Sequence, residues 1–339
     1  MRSDHTAPTT SPPRPPHGGR LLQAARQYGI APERWLDLST GINPRPYPGA
    51  DIPAECWMRL PEDDDSLEDA AAACYGCERA SVLPVAGSQA AIQALPGVLD
   101  GTRVSILGPT YAEHAWAWHA RAPHHAGCDE LEAAARTSDI VVVVNPDNPS
   151  GRLIAPARLC RAQAALAARG GWLLVDEAFM DPTPAASMAA CAGQPGLIVL
   201  RSLGKFFGLA GARVGFVLAP APAKHALARL LGPWTIAGPS RLIARTALLD
   251  RTWQQQTRAA LERDSRRLAT LLHAHGFGTA SGCALFQQVR IDAAPDRTEC
   301  LARHGILVRS FDSPPRLRFG LPAHEHEWQR LAAALAACT

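Results

Sequence analysis

Apolar runs separated by Ala-rich stretches dominate the middle of this chain. Between about residues 80 and 219, short β-type runs stand at 104–107, 140–144, 172–175, 198–200 and 214–218, and most alternate with stretches of helical composition. The runs show no polar alternation, as expected of strands covered by helices on both faces. The pattern predicts an α/β domain with a mainly parallel sheet between helices, in which function gathers beyond the carboxyl ends of the strands. After Pro239 a stretch rich in Ala, Leu, Arg and Gln predicts helix to about His275; strand-like pieces follow near 286–291 and 306–309, and a helix closes the chain. A smaller α+β domain follows. The expected division is a mobile arm at 1–16, a segment at 17–45 that joins the small domain, a large domain at 46–235 and a small C-terminal domain at 236–339.

Composition narrows the partners. A chain of 339 residues that is 47% hydrophobic can bury two cores. Its formal charge of +3 is small, and no Lys/Arg block is interleaved with aromatics, so neither nucleic acid nor a membrane surface is expected and a small molecule is. The opening MRSDHTAPTTSPPRPPHGG has no apolar core or cleavage site, and no run is long enough to span a bilayer; a cytoplasmic location follows by default. The arm's Pro, Ser and Thr cannot offset the entropy of ordering. Among nine Cys, Cys74 and Cys77 form a CxxC with no second pair or His pattern, and read as reduced packing thiols; a redox or metal role is the alternative.

Four pieces with chemical potential lie at predicted strand ends: Gly87-Ser88-Gln89, the loop 145–151 (NPDNPSG), Asp176-Glu177-Ala178-Phe179, and the segment from Ser202 through Lys205 to Arg213. Lys205, between Gly204 and two Phe residues in an Arg-rich chain, suits a desolvated amine that forms a Schiff base with an aldehyde cofactor; the alternative is a surface lysine. Asp176 ends an apolar run, where a carboxylate can pair with a protonated pyridine nitrogen; a helix cap, or a metal site shared with Glu177, competes. Gly87, Ser88 and Gln89 open a helical run and can receive a phosphate, or form an ordinary cap. Ser202 and Arg213 can add phosphate contacts, with a surface ion pair as the alternative for Arg213. Tyr111 can stack on a planar ring or fill the core, and Asn148 can donate to a ring hydroxyl or simply turn the chain.

In combination these residues resemble the fold type I pyridoxal-phosphate enzymes, in the branch that holds histidinol-phosphate aminotransferase and threonine-phosphate decarboxylase. NPDNPSG, VDEAF and SLGKFFGLAGARVGF, in that order, carry the resemblance across nearly the whole chain. His17-Gly18-Gly19, followed by Asp37 to Pro44, looks like the decarboxylase pattern and not the aminotransferase one. The resemblance implies pyridoxal 5'-phosphate held by Lys205, Asp176, Asn148, Tyr111, Ser88, Ser202 and Arg213. It implies a phosphorylated amino acid held by His17, Gly18, Asn43, Asn148, Arg309 and Arg318. The implied reaction is decarboxylation of threonine phosphate to aminopropanol phosphate for cobalamin, in a homodimer; the alternative is a histidinol-phosphate or aromatic aminotransferase. Phe179 stands where many relatives carry a Tyr that bonds the ring hydroxyl, and Leu60 where many carry a Tyr that reaches the partner subunit's phosphate.

Overall fold

Every residue of the run 140–144 is buried in the computed structural model, which describes residues 14–49 and 51–338. Its strands, in chain order, are β1 (Leu36–Asp37), β2 (Val82–Val85), β3 (Val104–Gly108), β4 (His124–Gly127), β5 (Ile140–Val144), β6 (Trp172–Asp176), β7 (Leu197–Ser202), β8 (Gly215–Leu218), β9 (Ala280–Cys283), β10 (Phe286–Arg290), β11 (Ile306–Leu307), β12 (Arg309–Asp312) and β13 (Pro315–Gly320). A seven-stranded sheet has the order β2-β8-β7-β6-β5-β3-β4, with β8 antiparallel to both neighbours and the other pairings parallel. The five apolar runs predicted as strands form its body. The two strands the pattern did not reveal, β2 and β4, are its edges. Pro84 is tolerated in β2 because an edge strand need not donate on its outer side. His124 and His125 are exposed in β4, where only one neighbour covers the chain.

A second, antiparallel sheet of order β12-β13-β10-β9 packs with helices Ala294–Arg303 and Glu325–Ala337, and β1 pairs in parallel with β11. The piece expected at 306–309 divides between two sheets, since β11 pairs with β1 and β12 with β13. The helical stretch after Pro239 is also two elements, Gly238–Leu249 and Arg251–Ala274. Asp250 separates them because its carboxylate accepts from the Trp253 backbone N–H at 2.9 Å, capping the second helix.

Of the arm expected to be mobile, residues 1–13 lie outside the described residues. Arg14 rests 5.4 Å from the Trp116 ring centre and the Pro16 carbonyl accepts from Arg309 at 2.7 Å. Cys74 and Cys77 carry free thiols, whereas Cys300 and Cys338 form a disulfide that ties the last helix to Ala294–Arg303. Among the described residues no helix is long and apolar enough to cross a membrane.

Candidate active site

The parallel strands deliver their polar ends to one place. Ser88, Gln89, Tyr111, Asn148, Asp176, Ser202, Lys205 and Arg213, drawn from after β2, β3, β5, β6 and β7 and from just before β8, line one cleft of about 110 Å³. The sequence had proposed each of them. Gly87 stands beside it with φ +74°, a backbone conformation that favours glycine, and its bare Cα leaves room for the Arg213 guanidinium, whose Nη2 would lie 2.6 Å from a Cβ there. Arg213 itself adopts a left-handed conformation, which turns its side chain back toward the cleft as the chain enters β8.

Lys205 is half-buried, with Nζ 5.5 Å from the Phe179 ring centre. Burial, and then the charges of Arg318 and Arg213, bring its ammonium down to about 8 against the attraction of Asp176. The lysine loop is fixed from below by Asn43. Its backbone N–H donates to the Lys205 carbonyl at 2.9 Å, its amide donates to the Phe206 carbonyl at 2.9 Å, and its Oδ1 accepts from the Arg45 N–H at 3.0 Å. Asn43 is thus buried under the loop with both polar atoms engaged by main chain, and does not line the cleft.

Asp176 is buried at the end of β6. Its Oδ2 lies 2.9 Å from His114 Nε2, and Oδ1 accepts from the Ala178 N–H at 3.1 Å. Glu177, one residue on, faces the other side: its carboxylate meets Arg201 Nη1 at 2.8 Å and the Met188 N–H at 2.6 Å, and Arg201 also pairs with Asp181. Among the described residues, no group of three metal-ligating side chains includes Asp176 or Glu177.

Tyr111 Oη donates to Gln89 Oε1 at 3.2 Å, and burial with the nearby Glu113 and Asp176 charges pushes its phenol well above the ordinary range. Asn148 Oδ1 accepts from Arg318 Nη1 at 2.5 Å, and Arg318 Nη2 donates to the Ser39 carbonyl at 2.8 Å. Arg318 is buried, and burial followed by the charge of Arg309 lowers it to about 10. Arg309 is half-buried, with burial and Arg20 lowering it. His17 reaches the site from the N-terminal side, Nε2 lying 2.7 Å from Glu113 Oε1. A second cavity of about 500 Å³ adjoins the cleft, sharing Gln89, Tyr111 and Arg213 with it and adding His17, Arg20 and Glu113.

Sequence reasoning missed His114 and Glu113. The usable signal was spacing, since a helix that begins at Ala112 puts His114 one turn from Tyr111. The arrangement fits an anionic aldehyde such as pyridoxal phosphate on its own terms. Three cations, Lys205, Arg213 and Arg318, converge on a region whose buried carboxylate is Asp176, and an Arg318 Nε and a His114 Nδ1 are buried without a partner.

Comparison with known proteins bears on the family. The family described as aminotransferase class I and II matches residues 60–335. A threonine-phosphate decarboxylase of Pseudomonas aeruginosa is 55% identical over 322 residues, 94% of this chain and 96% of its own. One from Sinorhizobium sp. is 43% identical, covering 94% of this chain and 97% of its own. The crystal structure of histidinol-phosphate aminotransferase from Sinorhizobium meliloti, in complex with pyridoxal-5'-phosphate, superposes with a TM-score of 0.76 at 20% identity over 94% of this chain and 96% of its own, a likeness of fold. With this match along most of its length, the chain belongs to the aminotransferase class I and II family.

Proposed function

We propose that this protein is a pyridoxal-phosphate-dependent carboxy-lyase that converts L-threonine O-3-phosphate to (R)-1-amino-2-propanol O-2-phosphate, a step of cobalamin biosynthesis. The observation that carries the reading is the cation excess around Lys205, which suits a phosphorylated cofactor and a substrate bearing both phosphate and carboxylate. Similarity to two named decarboxylases favours loss of carbon dioxide over transamination.

The cofactor, when bound, supplies an aldehyde for amines and a ring that withdraws electrons from a breaking bond at the α-carbon. Ser88, Ser202 and Arg213 would hold its phosphate, with Gly87 leaving room for the Arg213 guanidinium. Asp176, oriented by His114, would pair with the ring nitrogen; Asn148 would serve the ring hydroxyl, and Tyr111, tethered by Gln89, would supply an aromatic face for the ring. Lys205, brought down to about 8, is neutral in roughly a tenth of molecules at pH 7. It can therefore take up the aldehyde and later carry a proton to the substrate's α-carbon. Arg318 and Arg309, with His17 and Gly18, hold the substrate's two anionic groups, and that orientation selects which α-bond breaks. In this reading Asn43 serves by fixing the lysine loop.

The enzyme is further read as a cytoplasmic homodimer. Trp57 and Met58 are 69% and 82% exposed, with Leu60 and Trp234 also bare, an apolar display that a second copy would cover. The function is tested by adding threonine phosphate, without a keto acid, to the cofactor-loaded protein and following carbon dioxide and amine, with Lys205→Ala as control. Release that vanishes in the control supports the decarboxylase. Absence of release, together with turnover of histidinol phosphate once 2-oxoglutarate is present, would make it an aminotransferase.

A further inference from the structure

Glu113 is a buried carboxylate that the roles above leave unused. It sits in the short helix Ala112–Ala117, 7% exposed, with Oε2 accepting from Gln89 Nε2 at 2.6 Å and Gln93 Nε2 at 3.0 Å. Its other oxygen meets His17 Nε2 at 2.7 Å, and among the described residues His17 is its ion-pair partner. A carboxylate removed from water is costly unless it is paired and hydrogen-bonded, so this one is placed for what it holds. An ionised carboxylate only accepts, which puts a proton on Nε2 and leaves Nδ1 as the other polar atom of the ring.

What it holds is a strap. Residues 16–19 cross from the Arg309 side, where the Pro16 carbonyl accepts from the guanidinium at 2.7 Å, to Ser39, whose Oγ accepts from the Gly19 N–H at 2.7 Å. A Cβ on Gly18 would come within 2.3 Å of the Ser39 carbonyl oxygen, so the strap lies flat on Ser39. That same carbonyl accepts from Arg318. His17 stands 6.0 Å from Tyr111, ring centre to ring centre, beside the adjoining cavity of about 500 Å³. The strap is thereby tied to both arginines read as substrate ligands, and Glu113 is its anchor on the side of the seven-stranded sheet.

We propose that Glu113 is a positioning residue for substrate binding, whose carboxylate fixes His17, and through it the strap at residues 16–19, against the cofactor cleft. The proposal rests on the substrate role read for His17 above. It separates Glu113 from a structural support of Tyr111, because only the first role depends on His17.

The test compares the wild type, Glu113→Gln, His17→Ala and the double variant, all loaded with pyridoxal phosphate. Steady-state decarboxylation of threonine phosphate gives kcat and KM, and amide hydrogen exchange at Gly19, without substrate, reports whether the strap is pinned. Loss of one charge-assisted hydrogen bond should raise KM about tenfold in Glu113→Gln and leave kcat within about twofold. Exchange at Gly19 should quicken about tenfold, and in the His17→Ala background Glu113→Gln should change neither quantity by more than about twofold. Equal KM effects with and without His17, or unchanged exchange at Gly19, would overturn the proposal. If Glu113→Gln does not fold, His17→Ala alone must quicken Gly19 exchange and raise KM, and failure of either overturns it. If the wild type releases no carbon dioxide, the functional reading is what fails, and the exchange measurements still decide whether Glu113 anchors the strap.

Discussion

Replacing Lys205 with Met in the cofactor-free protein puts the electrostatics of the cleft to a direct test. Burial, Arg318 and Arg213 outweigh Asp176 and take the ammonium from an ordinary 10.5 to about 8. Each unit of such a shift corresponds to about 1.4 kcal/mol, so a protonated Lys205 costs the fold about 3 kcal/mol. The folded value lies below the unfolded one, so between about 8 and 10.5 the unfolded chain binds more protons and stability rises with pH. The cost is fully present below that window and gone above it. Met keeps the length and apolar stem of the side chain without the ionisable group. Lys205→Met should therefore increase the unfolding free energy by about 3 kcal/mol at pH 7, measured by urea titration, with the gain shrinking toward zero as the pH approaches 10.5. A variant no more stable than wild type at pH 7, or one whose advantage is undiminished at high pH, would refute the account. A positive outcome would mean that the fold tolerates a destabilising residue because the cofactor needs it.

Other outcomes follow from neighbouring residues. Arg318→Met should lower kcat/KM about a hundredfold, the loss of two charged hydrogen bonds worth about 3 kcal/mol together, and should move the pH midpoint of cofactor capture by Lys205 upward; Arg318→Lys should restore the midpoint but little of the turnover. His114→Ala deprives the Asp176 carboxylate of a partner, and a fall of about thirtyfold in kcat with a smaller change in KM is expected from steady-state rates. Cys300→Ser should lower stability by about 4 kcal/mol, in the chain-entropy treatment of a loop of this length, when unfolding is measured without reductant, and should be neutral in its presence.

The body of the large sheet was legible because its strands are buried on both faces and therefore uniformly apolar, as 140–144 shows. Its edges were not, since a strand with one neighbour can carry Pro84 or two exposed histidines without penalty, and nothing in composition then separates it from a loop. The break at Asp250 was hidden by the continuous helical composition on both sides, although an Asp whose carboxylate accepts from the backbone N–H three residues later is how a cap is built. The residues read for the cofactor were legible as one group because each lies at or near a strand end, and the fold brings them to one cleft. Glu113 and His114 escaped notice because their roles come from distant partners, His17 at 96 residues and Asp176 at 62, that no local pattern encodes. Asn43 is a case in which the fold adds what the sequence did not show: the resemblance marks it for the substrate, and the fold engages it with main chain at the lysine loop and at Arg45.

The opposed carboxylates at the end of β6 set a limit on how this gene can drift. Asp176 meets His114 on one side of the sheet while Glu177 meets Arg201 on the other. Because strand side chains alternate, a single-codon deletion within 172–175 would bring Glu177 to the place of Asp176 and turn Asp176 to the opposite face, one position earlier in the strand. The hydrophobic run would survive almost unchanged and the count of charges would stay the same. Yet the longer Glu would crowd His114, and the shorter Asp would fall short of Arg201, whose guanidinium is 2% exposed and cannot turn to water. A substitution along this strand disturbs one packing site, whereas a gap would turn every later side chain to the opposite face.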